Sequence, residues 1–158
     1  MSPGATIRLR AMAAEEFAAY RETFIRDWAA DLERVDDLTR AGALAEAAAR
    51  TDADLPLGPA TPGHHIFVIL ADEEPAGNLW FSIDAQGRAF LDDVTIHEAD
   101  RGKGYGRRAL ELCELEARQR GATRIELHVY RHNPRAIVLY KALGYHTIGL
   151  KMRKVLGP

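Results

Sequence analysis

The chain changes its hydrophobic period partway along, and that change restricts its fold more than any other feature. Between Phe17 and Leu32 the apolar positions Phe17, Tyr20, Phe24, Trp28 and Leu32 recur every three or four residues, the period of a helix with one buried stripe. From His64 that period is lost. HHIFVILAD, AGNLWFSID and RAFLDDVTI are apolar runs separated by polar turns, which predicts three consecutive strands on short connections. RIELHVY then alternates Ile125, Leu127 and Val129 with polar residues as a further strand. A chain with both periods is a mixed α/β protein, a central sheet with helices before, within and after it.

The remaining segments fill in that plan. Thr6 to Arg10 reads as a short edge strand, alanine-rich Leu44 to Arg50 as a second helix, and TDADLPLGPATPG as a surface loop. Arg107 to Arg120 is predicted helical, with Ala109, Leu110, Cys113 and Ala117 on one side. Another helix runs from about Pro134 to Leu143 and stops at Gly144, after which GYHTIGLKMRKVL closes the chain as strand. At 158 residues, without repeats or low-complexity stretches, the whole of 1–158 is expected to be one domain.

Between RAFLDDVTI and the helix from Arg107 lies DRGKGYGRRAL. Glycines at 102, 104 and 106 permit close approach, a following helix would offer unpartnered N–H groups, and Arg101, Lys103, Arg107 and Arg108 add positive charge. The natural ligand is a phosphate group. The formal net charge is only −2, so no global field favours nucleic acid or an anionic membrane, and any anion site is local. A nucleotide P-loop is excluded because no G-x-x-x-x-G-K-[ST] string exists. The dinucleotide pattern is met by Gly104, Gly106 and Ala109, but Glu126 falls inside RIELHVY rather than at a strand end, and a doubly wound sheet needs more chain. A plain strand-to-helix turn with solvated bases is the remaining alternative.

LDDVTIHEADRGKGYGRRAL resembles the acyl-CoA signature of the general N-acetyltransferase (GNAT) superfamily, whose R/Q-x-x-G-x-G/A core is matched by Arg101, Gly104 and Gly106 after a strand with Val94 and Ile96. HNPRAIVLYKALGY resembles the later motif of that family through Asn133, Leu139, Tyr140, Gly144 and Tyr145. The resemblance implies a mostly antiparallel twisted sheet of six to seven strands flanked by helices. It also implies transfer of an acetyl group from acetyl-CoA to a primary amine, by direct attack in a ternary complex. Arg101, Gly102, Lys103, Gly104, Tyr105 and Gly106 would cradle the pyrophosphate, with Arg107 at a phosphate nearby, and the backbone through Val94 and Ile96 would pair with the pantetheine arm. Asn133 would contact the cofactor or cap its helix. Tyr140 would protonate the departing thiolate or, alternatively, pack its helix against the sheet.

Asp92 corresponds to a place where the family often carries the base that deprotonates the amine, although a rim carboxylate attracting a cation is also consistent. Strict alternation puts Asp92 on the side of Val94 and Ile96, and Asp93 on the other beside Thr95. His64 and His65 suit a strand-cap role, and His128 and His132 would flank the cleft. No His, Cys and acid spacing suggests a metal site, and Cys113 has no histidine partner, which disfavours an acyl-cysteine. Tyr20, Phe24 and Trp28 would line the acceptor pocket or simply form core. The expected partner is a small-molecule or peptide amine, with neither nucleic acid nor membrane, and a homodimer through IGLKMRKVL is possible. One cysteine and the lack of a signal-length or membrane-length apolar run predict a cytoplasmic protein. The functional rival is an inactive acyl-CoA-binding sensor or scaffold of the same fold.

Overall fold

In the computed structural model, which describes residues 4–158, the chain divides into two compact units, one ending at His128 and the other Val129–Pro158. The first holds five strands, β1 (Ile7–Ala11), β2 (His64–Ala71), β3 (Glu74–Ile83), β4 (Arg88–Ile96) and β5 (Arg124–Leu127), and three helices, α1 (Phe17–Asp36), α2 (Arg40–Asp54) and α3 (Tyr105–Gln119). The second holds α4 (Pro134–Ala142). The strands lie in the order β1-β2-β3-β4-β5 and are antiparallel except for the parallel pair β4–β5.

Local chemistry explains the connections. β2 and β3 meet at a two-residue turn in which Asp72 and Glu73 both have positive φ, the primed geometry that matches strand twist. Asp72 Oδ1 accepts the Thr6 N–H at 2.9 Å and Glu73 pairs with Arg8, so β1 is tied to that turn. α2 begins at Arg40 because the Thr39 side chain accepts the Gly42 N–H. It continues to Asp54, into the stretch expected as loop. There Thr51 is buried with its hydroxyl donating to the Ala47 carbonyl, so its polar group is satisfied inside the helix.

The aromatic stripe of α1 is core. Tyr20 joins Met12, Leu55, Ile66, Val68, Leu70 and Trp80 in one buried cluster, with Phe17 and Phe24 packed against it. Ile25, Ala29 and Leu32 of α1 meet Ala43 and Ala47 of α2 in a second cluster. α3 buries the expected Ala109, Leu110, Cys113 and Ala117 and packs on β1, β3 and β4.

The sheet has five strands, not six to seven. GYHTIGLKMRKVL forms no strand, and Ile148, Leu150, Met152, Val155 and Leu156 are 75–87% exposed. Its alternation fits a pleated surface, but a strand exists only where a neighbour supplies the ladder bonds. RIELHVY likewise is strand only over the four residues that face β4.

Candidate active site

The site grows from an irregularity in β4. Its pairing with β3 runs Gly77↔Ile96, Asn78↔Thr95, Leu79↔Val94 and Trp80↔Asp93, then Phe81↔Leu91, so Asp92 is the extra residue of a β-bulge. Val94 and Ile96 keep the face of Leu79, and Asp93 that of Trp80, as alternation requires. Asp92 does not stay with Val94. Its carboxylate feels the side chain of Ser82, two residues from Trp80 on the same face as Asp93. One inserted residue therefore brings both acids to one side of the sheet.

The two carboxylates are held differently. Asp93 accepts the Tyr20 hydroxyl at Oδ2 (3.0 Å) and the Thr95 hydroxyl at Oδ1 (2.9 Å). Asp92 Oδ2 is buried and has no hydrogen-bond partner among the described residues. Burial raises the Asp92 carboxyl to about 7, helped by the charges of Asp54 and Asp93 and opposed by Ser82. Burial also raises Asp93, to about 6, against the bonds from Thr95 and Tyr20. Tyr20, buried beside these acids, is pushed well above its ordinary value and stays a neutral donor. Trp80 Nε1 donates to His64 Nδ1 at 3.0 Å, which places the neutral ring's proton on Nε2, and burial lowers the His64 pKa. Ser82 and His64 also line a recess of about 400 Å³ with Phe90 and Glu126.

Past the bulge, β4 becomes an edge. Its parallel pairing with β5 stops at Leu91↔Leu127, and from Asp92 to Ile96 it is laddered only to β3 among the described residues. That edge offers main-chain donors and acceptors to an extended amide-bearing ligand. A single 3-10 turn at Glu98–Asp100 leads into the glycine segment, and Arg101 Nε donates to the Ile96 carbonyl at 3.0 Å, fixing the strand end. Gly102 and Gly104 have φ of 75° and 82°, the left-handed region, and a side chain added at either would meet nothing within 4 Å. Space in front of the turn is open.

Gly104 is the N-cap of α3, and Arg108 N–H is the first to reach back, to Gly104 O at 3.2 Å. The N–H groups of Tyr105, Gly106 and Arg107 have no acceptor within the helix, so they and the dipole favour an anion. The basic side chains contribute less than their number suggests. Lys103 pairs with Asp100 (2.9 Å), while Arg107 (3.4 Å) and Arg108 (3.2 Å) share Glu111, all on the surface. The Lys103 ammonium also lies 5.7 Å from the centre of the Tyr105 ring.

In the second unit, Asn133 Oδ1 accepts the Ala136 N–H at 3.4 Å ahead of Pro134, which makes Asn133 the cap of α4. Half-buried Tyr140 meets Tyr145 edge to face at 5.8 Å, and Tyr145 N–H closes on the Tyr140 carbonyl. Cys113 is buried in α3 and burial pushes its thiol up to about 12, so it supplies no thiolate nucleophile near neutral pH. Sequence reasoning placed Asp93 correctly beside Thr95 but missed its bond to Tyr20, the role of Ser82 and the bulge. The available signal was two adjacent acids in an otherwise apolar strand.

The sequence and fold are shared with known proteins. The model of the acetyltransferase (GNAT) family matches residues 16–145. The uncharacterized N-acetyltransferase YdgE of Bacillus subtilis is 33% identical over 152 residues, 94% of this chain and 97% of that protein. The crystal structure of YycN from the same organism superposes with a TM-score of 0.90 at 30% identity, covering 97% of this chain and all of that one. The aminoglycoside N-acetyltransferase AAC(6')-Iy, crystallised in complex with CoA, shares the fold at a TM-score of 0.63 and 14% identity, covering 99% of this chain and 98% of that one.

Proposed function

The chain belongs to the acetyltransferase (GNAT) family and is an acetyltransferase that takes its acetyl group from acetyl-CoA; we propose that it passes the group to a primary amine of a small molecule or peptide by direct attack in a ternary complex. The observation that carries this reading is the construction of β4: a carboxylate pair at its bulge, a free backbone edge beyond it, and an anion-ready glycine turn past its end. An amine arrives mostly as ammonium and must lose a proton before its nitrogen can attack. Asp92, raised to about 7, is matched to that task at neutral pH, and its negative charge favours a cationic acceptor. As the carbon–nitrogen bond forms and the carbon–sulfur bond breaks, the thiolate takes a proton. Tyr140 is assigned that donation by its place in the later motif, and Asn133 a cofactor contact in addition to its cap.

In the same reading the pyrophosphate rests on Arg101 to Gly106 with Arg107 nearby, and the pantetheine follows the edge at Val94 and Ile96. The family match runs across His128, which supports a single acetyltransferase domain over 1–158. No helix among the described residues is long and apolar enough to cross a membrane, and a cytoplasmic location fits the lone cysteine. Self-association is assigned to residues 148–156, whose apolar side chains are exposed.

The test is release of free thiol from acetyl-CoA with lysine, a polyamine, an amino sugar and a peptide with a free amino terminus, with the acetylated product identified by mass spectrometry. Amine-dependent release that falls about 10- to 100-fold in Tyr140→Phe and in Asp92→Asn is the expected result. Saturable acetyl-CoA binding with no amine-dependent release would replace this reading with an idle acyl-CoA-binding protein.

A further inference from the structure

We infer that Tyr20 is a positioning residue which, with Thr95, pins Asp93 as the member of the carboxylate pair that stays ionised and leaves Asp92 as the more basic member, the one that takes up a proton. The inference rests on the reading of Asp92 as the base and explains why, of two adjacent acids on one face, that one receives the amine's proton.

The hydrogen bonds are lopsided. Asp93 accepts a hydroxyl at each oxygen, from α1 and from its own strand, and both bonds favour its charged form. Asp92 has only the influence of the Ser82 side chain, and its Oδ2 is buried with no hydrogen-bond partner among the described residues. Two like charges so near one another repel, so the first proton the ionised pair takes up settles on the acid with less to lose. The oxygen without a donor is the natural place for it.

The other groups around the pair do not reverse that preference. From α1, Asp27 acts on Asp93, and from the end of α2, Asp54 acts on Asp92, so each acid has one further negative neighbour that favours its protonated form. From β2, His64 is tied to Trp80 and kept toward its neutral form by burial. What distinguishes the two acids is the pair of donors on Asp93. Its persistent charge also makes Asp92 more basic than it would be alone. The order of the two acids, about 7 for Asp92 and about 6 for Asp93, runs the same way.

Tyr20 also belongs to the apolar cluster under the sheet, so a substitution must spare its ring. Tyr20→Phe removes the hydroxyl alone. The experiment is a carbon-13 NMR titration of the aspartate carboxyl carbons in the whole unliganded protein, assigned through Asp92→Asn and Asp93→Asn. In the unsubstituted protein, residue 92 titrates at higher pH than residue 93. In Tyr20→Phe, residue 93 moves up by on the order of one pH unit while residue 92 moves down, closing or reversing the gap. Thr95→Val removes the second donor, shifts both carbons in the same directions, and serves if Tyr20→Phe does not fold. Titrations unmoved by loss of the donor hydroxyl would overturn the inference. The reading of Asp92 as base fails separately, if Asp92→Asn retains full amine-dependent thiol release while the carboxyl carbons still respond to Tyr20→Phe.

Discussion

Two aspartates held above their ordinary range leave a mark on stability as well as on chemistry. Their folded-state values, about 7 and about 6, exceed the ordinary 3.8, so ionising them costs the folded state. The stability they contribute is complete below the unfolded value and is lost as pH rises through 6 and 7. Glu16 acts in the opposite sense. Bonded by Arg10 and by the Ala13 N–H, it is lowered to about 2, and its contribution disappears as pH falls from 4.5 toward that value. The unliganded protein is therefore expected to be more stable to urea near pH 5 than near pH 8, with slopes up to about 1.4 kcal/mol per pH unit for each titrating acid. Asp92→Asn removes its share of that decline, and a denaturation series that declines with the same slope in the variant would refute the assignment. The acids were legible as a pair in the sequence. Their common face was not, because alternation is the default and one bulged residue reverses it without any change in composition.

At the scale of elements, the strand, turn and helix around the proposed cofactor site depend on glycines for unlike reasons. Gly104 was recognisable from its place in the motif, in a turn where close approach needs a residue without a side chain. Gly77 was not, since its constraint comes from the neighbouring strand: an added Cβ would collide with the Thr95 carbonyl oxygen, opposite the end of β4. Gly77→Ala is predicted to destabilise the fold by about 1–3 kcal/mol or more, as the β3–β4 ladder has to shift. At Gly104 and at Gly121, past the end of α3, φ is 82° and 90° and a side chain meets nothing within 4 Å. Alanine at either should cost a similar strain of about 1 kcal/mol, read from thermal or urea unfolding. A much larger loss at Gly104 would mean that the turn is packed rather than open. The helix period of α1 was equally legible, as was the apolar side of α3, but the Tyr20 hydroxyl was hidden within an aromatic stripe that composition alone marks as core.

For the whole chain, the change from helical to strand periodicity and the two motifs were enough to give the fold class and the family. The strand count was not obtainable the same way. Residues 148–156 have the alternation of a strand without a ladder in this structure, and pattern describes what a segment is able to pair with, not whether a partner is there. If that segment joins two copies, Leu150→Glu should lower the sedimentation coefficient to that of a monomer, whereas an unchanged coefficient would remove it as the contact. The central claim concerns the glycine turn and the strand before it as the acetyl-CoA site. Calorimetric titration with acetyl-CoA, comparing the unsubstituted protein, Gly104→Val and Gly121→Val, tests it most directly. The account predicts saturable binding that weakens at least about tenfold in Gly104→Val and holds in Gly121→Val, since only the first fills the space before the unpartnered N–H groups. Binding equally tight in all three proteins, or absent from the unsubstituted one, would contradict it.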